Sequence, residues 1–441
     1  MQNDGLNFHN ADYSVIQSAV AQIIREEGIS TGSFHEQDER MHALSKTLAA
    51  MDNGDVTDVG DGIEFCMKIL VEYILALRAK DYKKAQQKKN EFQYTHCDLN
   101  WLIAAAEWWA YYDLLKKQPM YVNYTNIDDF QYDLPLASSG NLKVGLVADW
   151  GTGEQVAKLV MDLLFEQQVD VILHLGDIYY AGTPTEAKNN FLQIIQDLRT
   201  KHGLQIPVYN LPGNHDYYSG GQGFYSINDE LNHGIPNSSI QEASYWTLSN
   251  SDWHFQGMDT GFYDSDLENI QADITHLHST EVAWHQDKLD KAVAAGKKII
   301  LLSHHQLFSS LLNIGSKPNE DNSNPYLEAY FGSYINNGDI TAWFWGHEHL
   351  LEIYDSYLGL DKGRCVGYGA FPALYGDGKS YDPIYPQVPL DTSIQLSDNG
   401  EVYAHGFAVM DLGTSSGTVT YYSIPGDGSS SQLTEVYQEV I

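Results

Sequence analysis

A chain of 441 residues is too long for one small core, so two or three domains, or one large domain with an extension, are expected. Its 59 acidic side chains against 25 Lys and Arg leave a net charge of −34, which disfavours nucleic acids and anionic membranes as partners. Three cysteines, Cys66, Cys97 and Cys365, without a Cys-x-x-Cys pair, argue against both a disulfide framework and a zinc–thiolate site.

The first 118 residues read as helices. Tyr13, Ile16, Val20 and Ile24 follow helical spacing behind Asn10 and Asp12 as caps. Further helical runs lie around 41–51 and 63–79, and 97–116 carries Trp101, Trp108, Trp109, Tyr111 and Tyr112, an aromatic stripe of core type. Pro119 closes this part, and 119–140 reads as a linker. The opening MQNDGLNFHNAD has neither a basic nor an apolar leader region, so cytoplasmic residence is the default expectation, a secreted mature form remaining compatible. No run reaches the ~18 apolar residues of a membrane span.

From Leu142 the pattern changes. Strands are expected at 142–148, 169–175, 206–211, 298–302 and 341–345, with helices beginning near Val156, Thr185, Glu281 and Tyr326. That alternation indicates a layered α/β domain over 141–441, closed by short strands at 404–410 and 418–424.

Five polar blocks sit where these apolar strands stop. Asp149 (in DWG) follows LKVGLVA; Asp177 (in GDIYY) follows VDVILHLG; Asn214 (in GNHD) follows IPVYNLPG; His304 (in SHH) follows KIILLS; His347 and His349 (in GHEH) follow TAWFWG. In open α/β sheets the carboxyl ends of the strands share a crevice where ligands bind, so these donors are expected to converge. Two Asp, one Tyr, one Asn and three His make a mixed oxygen–nitrogen set suited to two metal ions, with Asp177 as the natural bridge. Such ions would also let a strongly acidic protein accept an anionic substrate.

The order D-x-G, G-D-x-x-Y, G-N-H-D, H, G-H-x-H resembles the calcineurin-like metallophosphoesterases, and the Tyr of the second block makes it most similar to the purple acid phosphatases with the small, mammalian-type motif set. The resemblance covers about 142–425. It implies a four-layer α/β/β/α sandwich with the helical segment as an extension. It implies a ferric-type position held by Asp149, Tyr180, His349 and bridging Asp177, and a second position for Fe(II), Zn or Mn held by Asn214, His304, His347 and Asp177. His215 would face the substrate, and a metal-bound hydroxide would attack a phosphate monoester in line, the substrate being a phosphorylated small molecule or protein. A ferric tyrosinate would give a visible charge-transfer band, lost in Tyr180→Phe. Three departures stand out: Leu301 begins the block usually written V-x-x-H, Ala148 replaces the Gly before the first Asp, and residues 306–325 hold no His, leaving His305 as the substitute for a further substrate-facing imidazole. Tyr217 is a second candidate for substrate contact. Specificity is expected in the loops 217–241, 261–280 and 371–389. A manganese phosphodiesterase of the same superfamily and a non-catalytic scaffold on this fold are the alternatives.

Overall fold

The computed structural model describes residues 112, 117–135, 137, 140–265, 274–315, 317–373, 381–399 and 402–441, and the expected N-terminal helices lie outside them. Residues 111–441 form one compact unit. Its strands are β1 (Gln131–Asp133), β2 (Leu142–Val147), β3 (Val171–His174), β4 (Val208–Asn210), β5 (Trp246–Ser249), β6 (Trp253–Gly257) and β7 (Lys298–Leu302). They continue with β8 (Ile340–Trp345), β9 (Leu351–Ile353), β10 (Gly363–Val366), β11 (His405–Leu412), β12 (Gly417–Ile424) and β13 (Thr434–Val440).

Two sheets result. One has the order β1-β5-β6-β7-β8-β10-β9, the other β13-β12-β11-β2-β3-β4. Strands β2, β3 and β4 run parallel in one sheet, and β6, β7 and β8 run parallel in the other. The strand bearing LKVGLV is buried at five of its six positions, the signature of a strand covered on both faces. Alternate side chains therefore feed two cores. Val144, Leu146 and Leu173 meet Phe255, Ile300 and Phe344 in the layer between the sheets. Val147 and Ile172 point outward, against Val160 and Leu164 of helix α1 (Gln155–Glu166) and Ile195 of helix α2 (Gln193–His202). On the far side, Ile299, Leu301 and Trp343 pack on Leu289 of helix α3 (Ser279–Ala294) and Leu327 and Phe331 of helix α4 (Pro325–Asn336). These layers make the expected α/β/β/α sandwich.

Helix ends follow ordinary chemistry. Helix α2 stops at Gly203 in the left-handed region (φ 65°), with Arg199, Lys201 and His202 in its last turn facing the negative end of the dipole. Helix α4 starts at Asn324, whose side chain accepts from the Tyr326 and Leu327 amides, with Pro325 next. The stretch read as a linker does more than connect. Within it β1 extends the first sheet by pairing parallel to β5, and Phe130 packs with Tyr245 and Trp284. Cys365 is a buried free thiol. Among the described residues, no helix is long and apolar enough to cross a membrane.

One ion pair ties the sheets together. Arg364 of β10 donates from Nε to Glu439 Oε1 (2.7 Å) and from Nη2 to Oε2 (2.7 Å), and Glu439 belongs to β13 of the other sheet. The Tyr421 hydroxyl donates to the same carboxylate at 2.7 Å, and the Arg364 Nη1 donates to the Tyr354 carbonyl at 2.6 Å. Removing one partner strands the other in a buried setting. Glu439→Ala is therefore expected to cost about 3–5 kcal/mol of unfolding free energy, read from the shift of a denaturant midpoint.

Candidate metal centre

The parallel strands of both sheets end at the same place. Asp149 leaves β2, Asp177 leaves β3, and Asn214 leaves β4; His304 leaves β7, and His347 and His349 leave β8. The chain has to reverse at once for the side chains to point back into the crevice. Asp149 (φ 54°), Asp177 (φ 72°), His347 (φ 71°) and His349 (φ 55°) all take left-handed backbone, a conformation that costs non-glycine residues about 1–3 kcal/mol. Four such residues at one spot mark a site at which geometry is favoured over stability.

Two donor clusters form. Asp149, Asp177 and His349 make one, and His304, His305 and His347 make the other; within each, the donor atoms lie within 4.8 Å of one another. Asp149 Oδ2 accepts from the His347 amide (2.8 Å), which joins the clusters. Asp177 spans them: its Oδ2 is 3.4 Å from His304 Nε2 and 3.9 Å from His215 Nε2. Asp216 acts as a staple, its Oδ2 accepting from the Gly213 amide (2.8 Å) and the Asp177 amide (3.0 Å). This holds the ends of β3 and β4 in register.

The glycines beside the donors serve different needs. Gly176 has φ 106° and makes the sharp turn. Gly213 matters for space: a Cβ there would lie 2.0 Å from Asp177 Oδ1 and 2.8 Å from His304 Cε1.

The electrostatics call for cations. Burial pushes the Asp177 carboxyl well above the usual range, and Asp149 and Asp216 beside it push further. Burial depresses His304 to about 3 and His347 well below its usual value, so both imidazoles are neutral. His304 Nδ1 faces the Leu175 carbonyl at 2.9 Å, which only accepts, so Nδ1 carries the proton. Its Nε2 lone pair then faces Asn214 Oδ1 at 3.1 Å, while Asn214 Nδ2 donates to the Tyr218 hydroxyl at 2.7 Å. A cation placed between them would be bound by both the imidazole nitrogen and the amide oxygen. Asp177 Oδ2, fully buried, has no hydrogen-bond partner. These residues fit a pair of metal ions.

The second block places its aromatics differently from the sequence expectation. The Tyr179 hydroxyl lies in the first cluster, donating to Asp149 Oδ1 (2.9 Å) and 3.1 Å from His349 Nε2. Tyr180 meets the site through its backbone: its carbonyl accepts from His215 Nδ1 (2.7 Å), and its amide donates to Glu186 (2.5 Å). The two adjacent rings leave this turn in different directions, and the sequence does not say which of them meets the cluster.

The His215 ring, with Nδ1 fixed by that carbonyl, packs 4.5 Å from the Tyr179 ring and presents Nε2 to Asp177. Burial depresses it to about 3, which keeps the imidazole neutral. A nearby phosphoryl anion would raise it. His305 is anchored at both ring nitrogens, Nδ1 3.1 Å from Thr260 Oγ1 and Nε2 2.9 Å from Asp264 Oδ2. Tyr217 does not reach the crevice. Fully buried, it donates its hydroxyl to Asp259 (2.6 Å) on the inner side of the loop. Phe371, from the 371–389 loop, closes one side, its ring centroid 4.5 Å from that of His349 and 4.4 Å from that of Tyr179. A cavity of about 100 Å³ opens beside the second cluster, lined by Asn214, His305, His347, Asp264, Thr275 and Ile314 among others.

Behind Tyr217 lies a buried acid pair. Glu281 Oε1 accepts from the Asp259 amide (2.9 Å), Oε2 accepts from the Tyr121 hydroxyl (2.9 Å), and His285 Nε2 lies 2.8 Å from Oε1. Burial pushes Glu281 up to about 8 and Asp259 up to about 7.

Residues 142–351 match the family model of the calcineurin-like phosphoesterases. No curated protein sequence matches the chain. Among solved structures the chain is similar to a dimetal phosphatase from Danio rerio, with 11% identity, 64% of this chain and 96% of that one covered, and a TM-score of 0.41. It is similar to a purple acid phosphatase from yellow lupin seeds, with 12% identity, coverage of 69% and 54%, and a TM-score of 0.43. It is also similar to GAP50, the anchor in the inner membrane complex of Plasmodium, with 14% identity, coverage of 68% and 90%, and a TM-score of 0.45.

Two outcomes follow from the geometry. Gly213→Ala forces the Asp177 carboxylate aside and should lower metal affinity by about 10–100-fold, measured by competition with a chelator, with the fold retained. Glu281 binds a proton in the folded chain that it loses in the unfolded one between pH 4.5 and about 8, so stability falls as pH rises through that window. Glu281→Gln should flatten that fall in denaturation midpoints taken across the window.

Proposed function

We propose that this chain, whose residues 142–351 form a calcineurin-like phosphoesterase domain, is a binuclear-metal phosphatase that hydrolyses phosphate monoesters in the manner of a purple acid phosphatase. The observation that carries the proposal is the pair of donor clusters bridged by Asp177, whose inner oxygen is buried without a proton donor. Asp149, Tyr179 and His349 would hold a ferric ion, a phenolate being a hard anionic donor. Asn214, His304 and His347 would hold iron(II), zinc or manganese, with His305 at its border. When bound, the two ions supply an acidified water and draw off charge from the phosphoryl oxygens.

The protein's own groups do the rest. Asp216 and the Tyr180 carbonyl fix Asp177 and His215, so the Nε2 of His215 is set to meet the phosphoryl group at the face where it enters. With a phosphoryl anion beside it to favour the charged form, His215 can take up a proton from solvent and then hydrogen-bond a phosphoryl oxygen or pass that proton to the departing alcohol. The Thr260–His305–Asp264 chain holds a second imidazole at the cavity wall, on the side where a leaving group would lie. The absence of His from 306–325 makes His305 the imidazole available there.

The test uses the metal-loaded chain with a monoester and a diester of 4-nitrophenol at acidic and neutral pH, alongside its visible spectrum. Hydrolysis favouring the monoester, with a tyrosinate charge-transfer band bleached in Tyr179→Phe and kept in Tyr180→Phe, is expected. A colourless, iron-free chain that is fully active would sink the purple-phosphatase form. A chain with both metals bound that cleaves no phosphoester would sink the enzyme itself.

A further inference from the structure

Three separate segments contribute Asp264, Thr275 and Asn324 to the cavity lining, and each carries a ring within two residues of its lining residue. Asp264 and Thr275 line the cavity, and beside them Tyr263 and His276 stack with centroids 3.9 Å apart and planes 12° apart. Asn324 lines it too, and shortly after it Tyr326 lies 5.2 Å from the His276 ring. Tyr263 is 39% exposed and Tyr326 45%, unusual for large rings in a protein that buries most of its aromatics.

The three rings are held in advance. Asn324 accepts from the Tyr326 amide and donates from Nδ2 to the Thr275 carbonyl (2.9 Å), tying the start of helix α4 to the segment that bears His276. The Thr275 hydroxyl donates to the Thr260 carbonyl, and the Phe262 amide donates to Asp259, which sets the turn carrying Tyr263. Through Asp264, the next residue, this turn also holds His305. The rim therefore has a fixed place relative to the metal-ligand clusters.

The cavity lining is complementary in a second way. Among the described residues it contains no Lys or Arg, but it does contain Ile274, Ile314 and the amides of Gln306 and Asn313. Such a wall offers nothing to a second phosphate or to a sugar carboxylate. It offers apolar contact and amide hydrogen bonds to a flat, heteroatom-bearing ring.

We propose that Tyr263, His276 and Tyr326 form a stacking rim that selects phosphate monoesters whose leaving group carries a flat ring, as in a nucleoside or an aryl alcohol. The proposal rests on the monoesterase reading of the site and adds the residues that choose among monoesters. A base or phenyl ring leaving the phosphoryl group along the Ile274–Ile314 wall would reach the rim, where stacking stabilises it and the ringless analogue gains nothing.

The test pairs ligands that differ only in the ring. With the metal-loaded chain, equilibrium binding is measured for phenylphosphonate against methylphosphonate, and kcat/KM for adenosine 5′-monophosphate against ribose 5-phosphate. A preference of about tenfold for the ring-bearing member of at least one pair is expected, and the pair with the larger ratio separates aryl from nucleoside recognition. Tyr263→Ala and Tyr326→Ala should each erase most of that preference, chiefly through KM, while Tyr326→Phe keeps it. Equal binding and turnover of ring-bearing and ringless ligands by the native chain, or a preference that survives both alanine variants, would overturn the rim. A phosphonate preference lost in the variants, in a chain that turns over no monoester, would instead uphold the rim and sink the monoesterase reading.

Discussion

The structure turns on an electrostatic imbalance. Asp149, Asp177 and Asp216 are buried together, and the groups that face them are imidazoles, a phenol and backbone amides. Among the described residues, no Lys or Arg forms an ion pair with any of the three. Burying carboxylates without counter-charge costs several kcal/mol each, and a fold of marginal total stability tolerates this only where something offsets it. Bound cations would do so, and their charge is the charge that a phosphoryl transfer needs. The contrast within the molecule is informative. Glu439, also buried, is matched by Arg364 and stays below its usual pKa, so the fold supplies a cation where the role is structural.

The sandwich is arranged to create that imbalance in one place. Two sheets pack face to face with their parallel strands ending together, so donors from β2, β3 and β4 meet donors from β7 and β8 across the core. The left-handed backbone at four donors and the bare Cα of Gly213 remove the slack that side chains would otherwise take up. Around this rigid centre the loops are less regular, and these carry the rim, the Phe371 wall and the Asp264–His305 pair.

Much of this was legible in the sequence because the strands are continuous apolar runs and each is followed at once by a polar block. The run KIILLS could hardly be other than a buried strand, and the donor after it had to sit at its end. What was not legible depends on direction and on distance in space. Two adjacent tyrosines after Asp177 differ only in which face each takes, and the structure turns Tyr179 inward and uses the backbone of Tyr180. Tyr217 follows His215 closely, yet it points to Asp259, a residue 42 positions away whose partnership no local pattern reveals. Likewise, β1 lies in a stretch rich in Asn, Asp and Tyr that reads as a connector, because a three-residue edge strand has too little periodicity to announce itself. Asp216 of the GNHD block had no role in the sequence pattern, and in the fold its Oδ2 accepts from two backbone amides.

The most direct measurement is the number and position of metal ions in the protein itself: elemental analysis of the purified chain, with anomalous scattering from a crystal to locate each ion. Two ions per chain sharing Asp177, one beside Asp149, Tyr179 and His349 and the other beside Asn214, His304 and His347, is the predicted result. A chain that stays metal-free in excess iron, zinc and manganese, or that binds one ion away from Asp177, would contradict it.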